Sequence, residues 1–245
     1  MRLKSVIESG LRPFPPLYRM ASRLYHNMNP EFRSLSPGAA AAIHEAFELS
    51  RTDRDAATFE GDYHEFGLFR GGTFFATWQT LETLGLDDVR MYGFDSFEGL
   101  PAATSIDAGD TRFFEGQFAC SREEVERNLA ENGMDLERAA LIQGFYEDSL
   151  TEALKSEHAF RPASVVLLDC DYYTSTKVAM DWLTPYLRAG TILLFDDWFS
   201  YGDNEELGQQ KALAEWLAKN RRFEVEHLRD FQSNGRGFIL RNTAS

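Results

Sequence analysis

The chain holds two pairs of closely spaced carboxylates, Asp169-Cys170-Asp171 and Asp196-Asp197. Each pair directly follows an apolar run too hydrophobic for a surface segment, Val165–Leu168 and Ile192–Phe195 respectively. If the two runs are neighbouring strands, the four acids converge at one edge of a sheet. Clustered carboxylates repel one another, so they take up protons or recruit a cation. An all-oxygen set of this kind suits Mg²⁺, Ca²⁺ or Mn²⁺. The competing explanation is that these acids cap the helices that follow and sit near their dipoles. A cap needs one acid per helix, and here each turn carries two. After the second pair comes an aromatic loop, Trp198-Phe199-Ser200-Tyr201-Gly202, suited to wall a substrate pocket.

A second constellation lies upstream. Glu65-Phe66-Gly67-Leu68-Phe69-Arg70-Gly71-Gly72-Thr73 joins an expected strand to an expected helix. Its glycines let the backbone turn sharply and let a ligand approach the main chain, while the helix start offers free N–H groups. The full G-x-G-x-x-G spacing of a dinucleotide fingerprint is missing, so a plain strand–helix turn is an equal reading. Asp95 follows at the end of the next strand, in Gly93-Phe94-Asp95-Ser96-Phe97-Glu98-Gly99-Leu100-Pro101. An acid at this remove from a glycine turn can accept hydrogen bonds from both ribose hydroxyls; alone it would read as a turn cap. Together the two features point to a ligand containing a nucleoside.

The elements that must position these residues show as hydrophobic periodicity. Strands are expected at Tyr63–Gly67, Val89–Phe94, Ala140–Gln143, Ser164–Asp169 and Thr191–Phe195. Between them lie helical patterns at Thr73–Leu84, Arg122–Gly133, Ser149–Lys155, Lys177–Leu187 and Glu205–Lys219. The chain closes with Phe223–Leu228 and Gly237–Arg241, an antiparallel pair around the Asn234-Gly235 turn signal. Alternating strands and helices predict a parallel sheet covered on both faces, with ligands bound at the carboxyl ends of its strands. Residues 1–59 read as a helical N-terminal extension and 60–245 as one α/β domain, with no linker between the elements. In the extension Pro13, Pro15 and Pro16 break any early helix. Pro37–Leu49 reads as a helix opened by Ser36 as N-cap. Tyr18, Tyr25 and Phe32 serve either as core packing or as a lid.

Composition narrows the class. A net charge of −14 disfavours a protein that tracks a phosphate backbone, so no nucleic-acid partner is expected. Cys120 and Cys170 fit neither a zinc spacing nor a disulfide framework, which predicts a reducing, cytoplasmic setting. Glu8 interrupts the apolar run a signal peptide needs, and no stretch approaches the roughly 20 apolar residues of a membrane span. Of the five histidines none has metal spacing, and only His64 draws interest, for standing beside Glu65.

The blocks Glu65–Gly72, Phe94–Pro101, Gly116–Ser121 with Glu124–Leu129, Gly144–Ser149, Asp169–Thr176 and Asp196–Trp198 occur in an order that resembles the metal-dependent O-methyltransferases of the macrocin type. The resemblance runs from about Asp62 to the end. It implies a class I methyltransferase, Rossmann-like α/β fold: a seven-stranded, mostly parallel sheet whose last strand is antiparallel. It also implies S-adenosylmethionine and Mg²⁺, or another divalent cation, as cofactors, and a small hydroxylated acceptor, with no membrane partner; a homo-oligomer is allowed. By matching position, Glu65, Gly67, Phe69, Arg70, Gly71, Gly72 and Thr73 hold the methionine part of the cofactor. Asp95 binds the ribose with Ser96 beside it, and Phe145 and Tyr146 lie near the adenine. Asp169, Asp196 and Asp197 are the implied metal ligands, with Asp169 also beside the cofactor and Asp171 the candidate general base. Phe69 and Trp198 are candidates to face the sulfonium. Three positions depart from the family's habit: Cys170 replaces a glycine, Thr174 a glutamate and Trp198 a tyrosine. A phosphohydrolase or a glycosyltransferase with an Asp-x-Asp motif would share the acid pairs but leave the glycine loop unexplained. A non-catalytic cofactor-binding protein would show no metal requirement.

Overall fold

The computed structural model describes residues 37–52, 61–109 and 112–243, besides Leu17, Met20 and Ala21. Pro13, Pro15, Pro16, Tyr18, Tyr25, Phe32 and Ser36, invoked above, lie outside the described residues.

A continuous seven-stranded sheet organises the chain, in the order β3-β2-β1-β4-β5-β7-β6. Its strands are β1 (Asp62–Phe66), β2 (Met91–Asp95), β3 (Ala139–Gln143), β4 (Ala163–Leu168), β5 (Ile192–Phe195), β6 (Phe223–Phe231) and β7 (Gly235–Asn242). The first five run parallel; β7 slots antiparallel between β5 and β6, as the closing hairpin requires. The helices are α1 (Pro37–Thr52), α2 (Gly72–Leu84), α3 (Arg122–Glu131), α4 (Tyr146–Ser149), α5 (Glu152–His158), α6 (Tyr173–Leu183) and α7 (Gly208–Lys219). Among the described residues no helix is long and apolar enough to cross a membrane.

Both faces of the sheet are covered, which is why its central strands are apolar without alternation. All six residues of β4 are buried. Val165 and Leu167 join a core shared with α1, α2 and α3, while Val166 and Leu168 join one shared with α5, α6 and α7. Truncating Leu167, 0% exposed, to alanine would cost about 2–5 kcal/mol. Helix α1 belongs to this packing: Ala39, Ala42, Ile43, Ala46 and Phe47 are all buried, and Phe47 meets Tyr63 of β1 with ring centroids 6.0 Å apart.

Three expected helices differ, each for a local reason. The single helix at Ser149–Lys155 is two, because Thr151 adopts an extended N-cap conformation and accepts the Leu154 N–H. Helix α6 begins at Tyr173, four residues before the expected Lys177, because its first turn is capped from a distant segment. Tyr172 supplies no side-chain cap, and the Asp107 carboxylate accepts the Tyr173 N–H at 2.8 Å. Helix α7 begins late because Asn204 holds residues 204–207 in a turn, its Oδ1 accepting the Glu206 N–H.

Candidate active site

The strand order reverses between β1 and β4, the place where such sheets bind ligands. Register aligns the strand ends there. Phe66 pairs with Phe94 on one side and Leu168 on the other, and Leu168 pairs with Phe195. The next residues form a row: Asp95, Gly67, Asp169, Asp196. Backbone bonds extend the ladder into this row, with the Gly67 N–H on the Phe94 carbonyl, Asp169 N–H on Phe66 and Asp196 N–H on Leu168, all 2.9–3.0 Å. Gly67 has φ +94, and a Cβ there would strike the Asp169 backbone, so β1 and β4 can part at this distance only around a glycine.

Asp95 clasps the glycine loop. Its Oδ2 accepts the Leu68 and Phe69 N–H groups at 2.7 and 3.2 Å, and its Oδ1 accepts the Phe97 N–H at 2.7 Å. Burial nevertheless pushes its pKa up, against these bonds. Ser96 is committed to the following turn, donating to the Gly99 carbonyl and accepting the Glu98 N–H. Gly71 is the left-handed N-cap of α2 and provides no side-chain cap, so Gly72 and Thr73 open the helix toward the loop. The Arg70 guanidinium covers the Phe69 ring at 5.0 Å, and Phe118 meets that ring edge-on at 5.6 Å.

Glu65 is fully buried as the penultimate residue of β1. Tyr63 donates to its Oε2 at 2.6 Å, while Oε1 has no hydrogen-bond partner. Burial pushes its pKa up to about 8; Asp95 and Asp196 add to the rise, and the Tyr63 hydroxyl and Phe74 amide oppose it. His64, one residue away, faces the opposite core. Its ring stacks on Tyr92 and Phe94 at 5.2 and 5.9 Å, and burial drops its pKa to about 3. The structure therefore assigns His64 to packing.

The four acids downstream do come together. Burial raises the Asp169 pKa well above the carboxylate range, and Asp196, Asp197, Asp171 and Glu65 each add repulsion. Asp197 is pushed up to about 7 by burial and by Asp196, against the pull of Ser200, the Asp171 N–H and Arg112. Asp171 sits in the left-handed region at φ 60, and its N–H donates to Asp197 Oδ2 at 3.2 Å. Asp196 accepts from Gln232 Nε2 at 2.8 Å, and Asp197 Oδ1 accepts from the Ser200 hydroxyl at 3.2 Å. No three His, Cys, Asp or Glu residues among those described are arranged to hold an ion as they stand. Cys170, at the position where the resembled family usually has glycine, is buried, its Sγ 3.5 Å from the Thr176 hydroxyl.

Phe145 is the half-buried N-cap of α4 beside the Asp95 strand end. Tyr146 lies beneath it in the core, edge-on to Phe66 at 5.6 Å with its hydroxyl on the Phe94 carbonyl. Trp198 likewise packs inward, on Phe195 and Phe238 at 5.3 and 4.8 Å.

Several supporting residues escaped sequence reasoning. Gln209, 1% exposed, donates to the Leu168 carbonyl and accepts the Asp197 N–H, tying the ends of β4 and β5. Asp107, Arg112 and Thr174 join the β2–α3 segment to the acidic loops. No spacing marks them; Thr174 alone carried a signal, as a departure from the resembled pattern.

Comparison with known proteins follows the same lines. Residues 45–214 match the Macrocin-O-methyltransferase (TylF) family. The 8-demethyl-8-(2,3-dimethoxy-alpha-L-rhamnosyl)-tetracenomycin-C 4'-O-methyltransferase of Streptomyces olivaceus is 31% identical over 144 residues, 56% of this chain and 53% of that protein. The demethyldecarbamoylnovobiocin O-methyltransferase of Streptomyces niveus is 28% identical over 143 residues, 56% and 53% of the two chains. The chain thus spans about half the length of the curated relatives it matches. Among solved structures, the O-methyltransferase NovP superposes with a TM-score of 0.68 at 22% identity, covering 83% of this chain and 79% of that one. The calicheamicin methyltransferase CalS11 gives 0.63 at 18%, covering 97% and 90%, a likeness of fold. With that match spanning well over half its length, the chain belongs to the macrocin O-methyltransferase family.

Proposed function

We propose that this protein transfers a methyl group from S-adenosylmethionine to a hydroxyl of a small glycosylated or phenolic natural product, assisted by a divalent cation. The observation that carries this reading is the row of Asp95, Gly67, Asp169 and Asp196 across four adjacent strand ends, with Glu65 behind it. The relative from Streptomyces olivaceus is named for methylating a rhamnosyl tetracenomycin, which supports a glycosylated acceptor. Two buried free cysteines suit a reducing cytoplasm.

S-adenosylmethionine supplies a methyl already activated on a sulfonium, so the protein's task is alignment and removal of one proton. The unpartnered Oε1 of Glu65 suits an ammonium donor, and the uncapped start of α2 suits a carboxylate. Asp95 holds the loop between them, and Phe145 stands at the edge for the adenine. Holding acceptor and donor at attack distance supplies several kcal/mol of the barrier. Asp171 takes the hydroxyl proton, a role worth about 10²–10⁴-fold.

Asp169, Asp196 and Asp197 fit a hard divalent ion in chemistry: all are carboxylates, and each is destabilised by burial as an anion. As they stand, Asp196 Oδ1 accepts from Gln232 and Asp197 Oδ1 from Ser200, and ligation requires the three side chains to converge. A bound cation supplies Lewis acidity toward the acceptor hydroxyl.

The test is incubation with S-adenosylmethionine and Mg²⁺ against a panel of rhamnosylated and phenolic acceptors, read by acceptor mass. Methylation lost on adding EDTA supports the whole reading. Methylation that persists in EDTA removes the cation, and tight S-adenosylhomocysteine binding with no methylated product favours a non-catalytic binder.

A further inference from the structure

Among the described residues between β2 and α3, Asp107 and Arg112 bond to the two acidic loops. Asp107 is 1% exposed. Its carboxylate accepts the Tyr173 N–H at 2.8 Å, the Thr174 hydroxyl at 2.7 Å and the Thr104 hydroxyl at 2.8 Å. Its own turn does not need it, because backbone bonds from Asp107 and Ala108 to the Thr104 carbonyl already close that turn. Two of the three bonds instead go to the first turn of α6, which begins two residues after Asp171.

The stretch from Asp169 to Tyr173 is awkward backbone. It holds a tight turn from Tyr172 N–H to the Cys170 carbonyl and a left-handed Asp171. A non-glycine residue stays in that conformation when its surroundings over-determine it. Here both ends are pinned, Asp169 by the Phe66 carbonyl and Tyr173 by Asp107. On the other loop, Arg112 donates to the Ser200 carbonyl at 2.6 Å, and the Ser200 hydroxyl donates to Asp197. Phe113 packs edge-on against Tyr172 at 5.9 Å, closing the gap between the two tethers.

We infer that residues 104–109 and 112–113 form a two-point clasp in which Asp107 is the positioning residue for Asp171 and Arg112 the positioning residue for Asp197. The inference deepens the function proposed above and rests on it for assigning those acids to the acceptor side. It also accounts for Thr174: a hydroxyl there completes the Asp107 bond set, whereas a glutamate would set a second carboxylate against it.

The chemistry separates two variants. In Asp107→Asn, Oδ1 can still accept the Tyr173 N–H and the amide can donate to the two threonine oxygens. In Asp107→Ala all three bonds are lost. Hydrogen exchange by mass spectrometry on the full chain with S-adenosylhomocysteine should show residues 169–176 exchanging about tenfold faster in Asp107→Ala, with β6 and β7 unchanged and Asp107→Asn near wild type. Arg112→Ala should act in the same way on residues 197–202. On the same samples Mn²⁺ affinity, read by electron paramagnetic resonance, should fall in Asp107→Ala and return in Asp107→Asn, while cofactor affinity stays level. Unchanged exchange at 169–176, Asp107→Asn as fast as Asp107→Ala, or an equal rise in β6 and β7 would each overturn the clasp. Wild-type protein without Mn²⁺ affinity would overturn the cation reading alone, and exchange would still decide the clasp. Should Asp107→Ala fail to fold, Thr174→Val must loosen 169–176 by itself; no change there also overturns it.

Discussion

A Cβ on Gly67 would sit 1.8 Å from the carbonyl oxygen of Asp169. The contact joins the glycine loop to the acidic loop at the switch in strand order, and the residue's φ of +94 adds a second barrier to any side chain. Gly67→Ala should therefore lower stability by about 2–4 kcal/mol and spread β1 from β4. Chemical denaturation and calorimetry with S-adenosylhomocysteine check this: both stability and affinity should fall. A variant that keeps both would mean the two loops are not held in register here.

The sheet was legible because burial on both faces writes strands such as Val165–Leu168 as unbroken apolar runs, and the Asn234-Gly235 signal announced the closing hairpin. The acids were legible because they end those runs abruptly. What escaped was anything that depends on distant partners. The early start of α6 and the support of Asp197 by Gln209 come from hydrogen bonds whose donors and acceptors share no sequence neighbourhood. Tyr146, placed near the adenine by the resemblance, has its ring buried and its hydroxyl on the Phe94 carbonyl. An aromatic residue next to a glycine turn reads the same whether its ring points up or down.

His64 carries a stability signal of its own. Burial outweighs the opposing pull of the Asp62 backbone and holds its pKa near 3 against an ordinary 6.5, so the folded chain keeps it neutral. The unfolded chain binds a proton that the folded one refuses. Stability from this residue is whole above pH 6.5 and drains as pH falls toward 3, by roughly 3–5 kcal/mol in total. His64→Phe, set among Tyr92, Phe94, Phe160 and Tyr186, should remove this slope between pH 6.5 and 4 in urea melts. An unchanged slope would assign acid sensitivity to the carboxylates.

Glu65 predicts the opposite sign. Its folded pKa, raised to about 8, means that the protonated form is favoured by folding; that contribution is whole below pH 4.5 and is lost as pH climbs through 8. If its free Oε1 receives the ammonium of the methionine moiety, binding must ionise it and release a proton. Affinity for S-adenosylhomocysteine should then rise with pH up to about 8, by at most tenfold per unit, and the binding enthalpy should vary with buffer. Glu65→Gln should bind weakly and without pH dependence while melting at higher temperature than wild type at pH 8.5. A pH-independent affinity in the wild type would put the ammonium elsewhere.

Asp171, proposed above as the base, holds a backbone conformation that few residues tolerate, φ 60. Asparagine shares that tolerance with aspartate, because its short polar side chain can bond locally. Asp171→Asn should accordingly leave the 169–173 turn in place, keep S-adenosylhomocysteine affinity, and cut kcat by about 10²–10⁴-fold once an acceptor is in hand. Asp171→Ala adds strain to the same chemical loss and should lower the melting temperature as well, so the difference between the two variants separates proton transfer from support of the turn. The pH profile sharpens the test: rate should rise as the base ionises in the wild type, and that limb should vanish in Asp171→Asn. If the asparagine variant keeps more than about a tenth of the turnover, the proton leaves by another group. Asp197, bonded to the Asp171 N–H and pushed up to about 7, would then be the next to substitute.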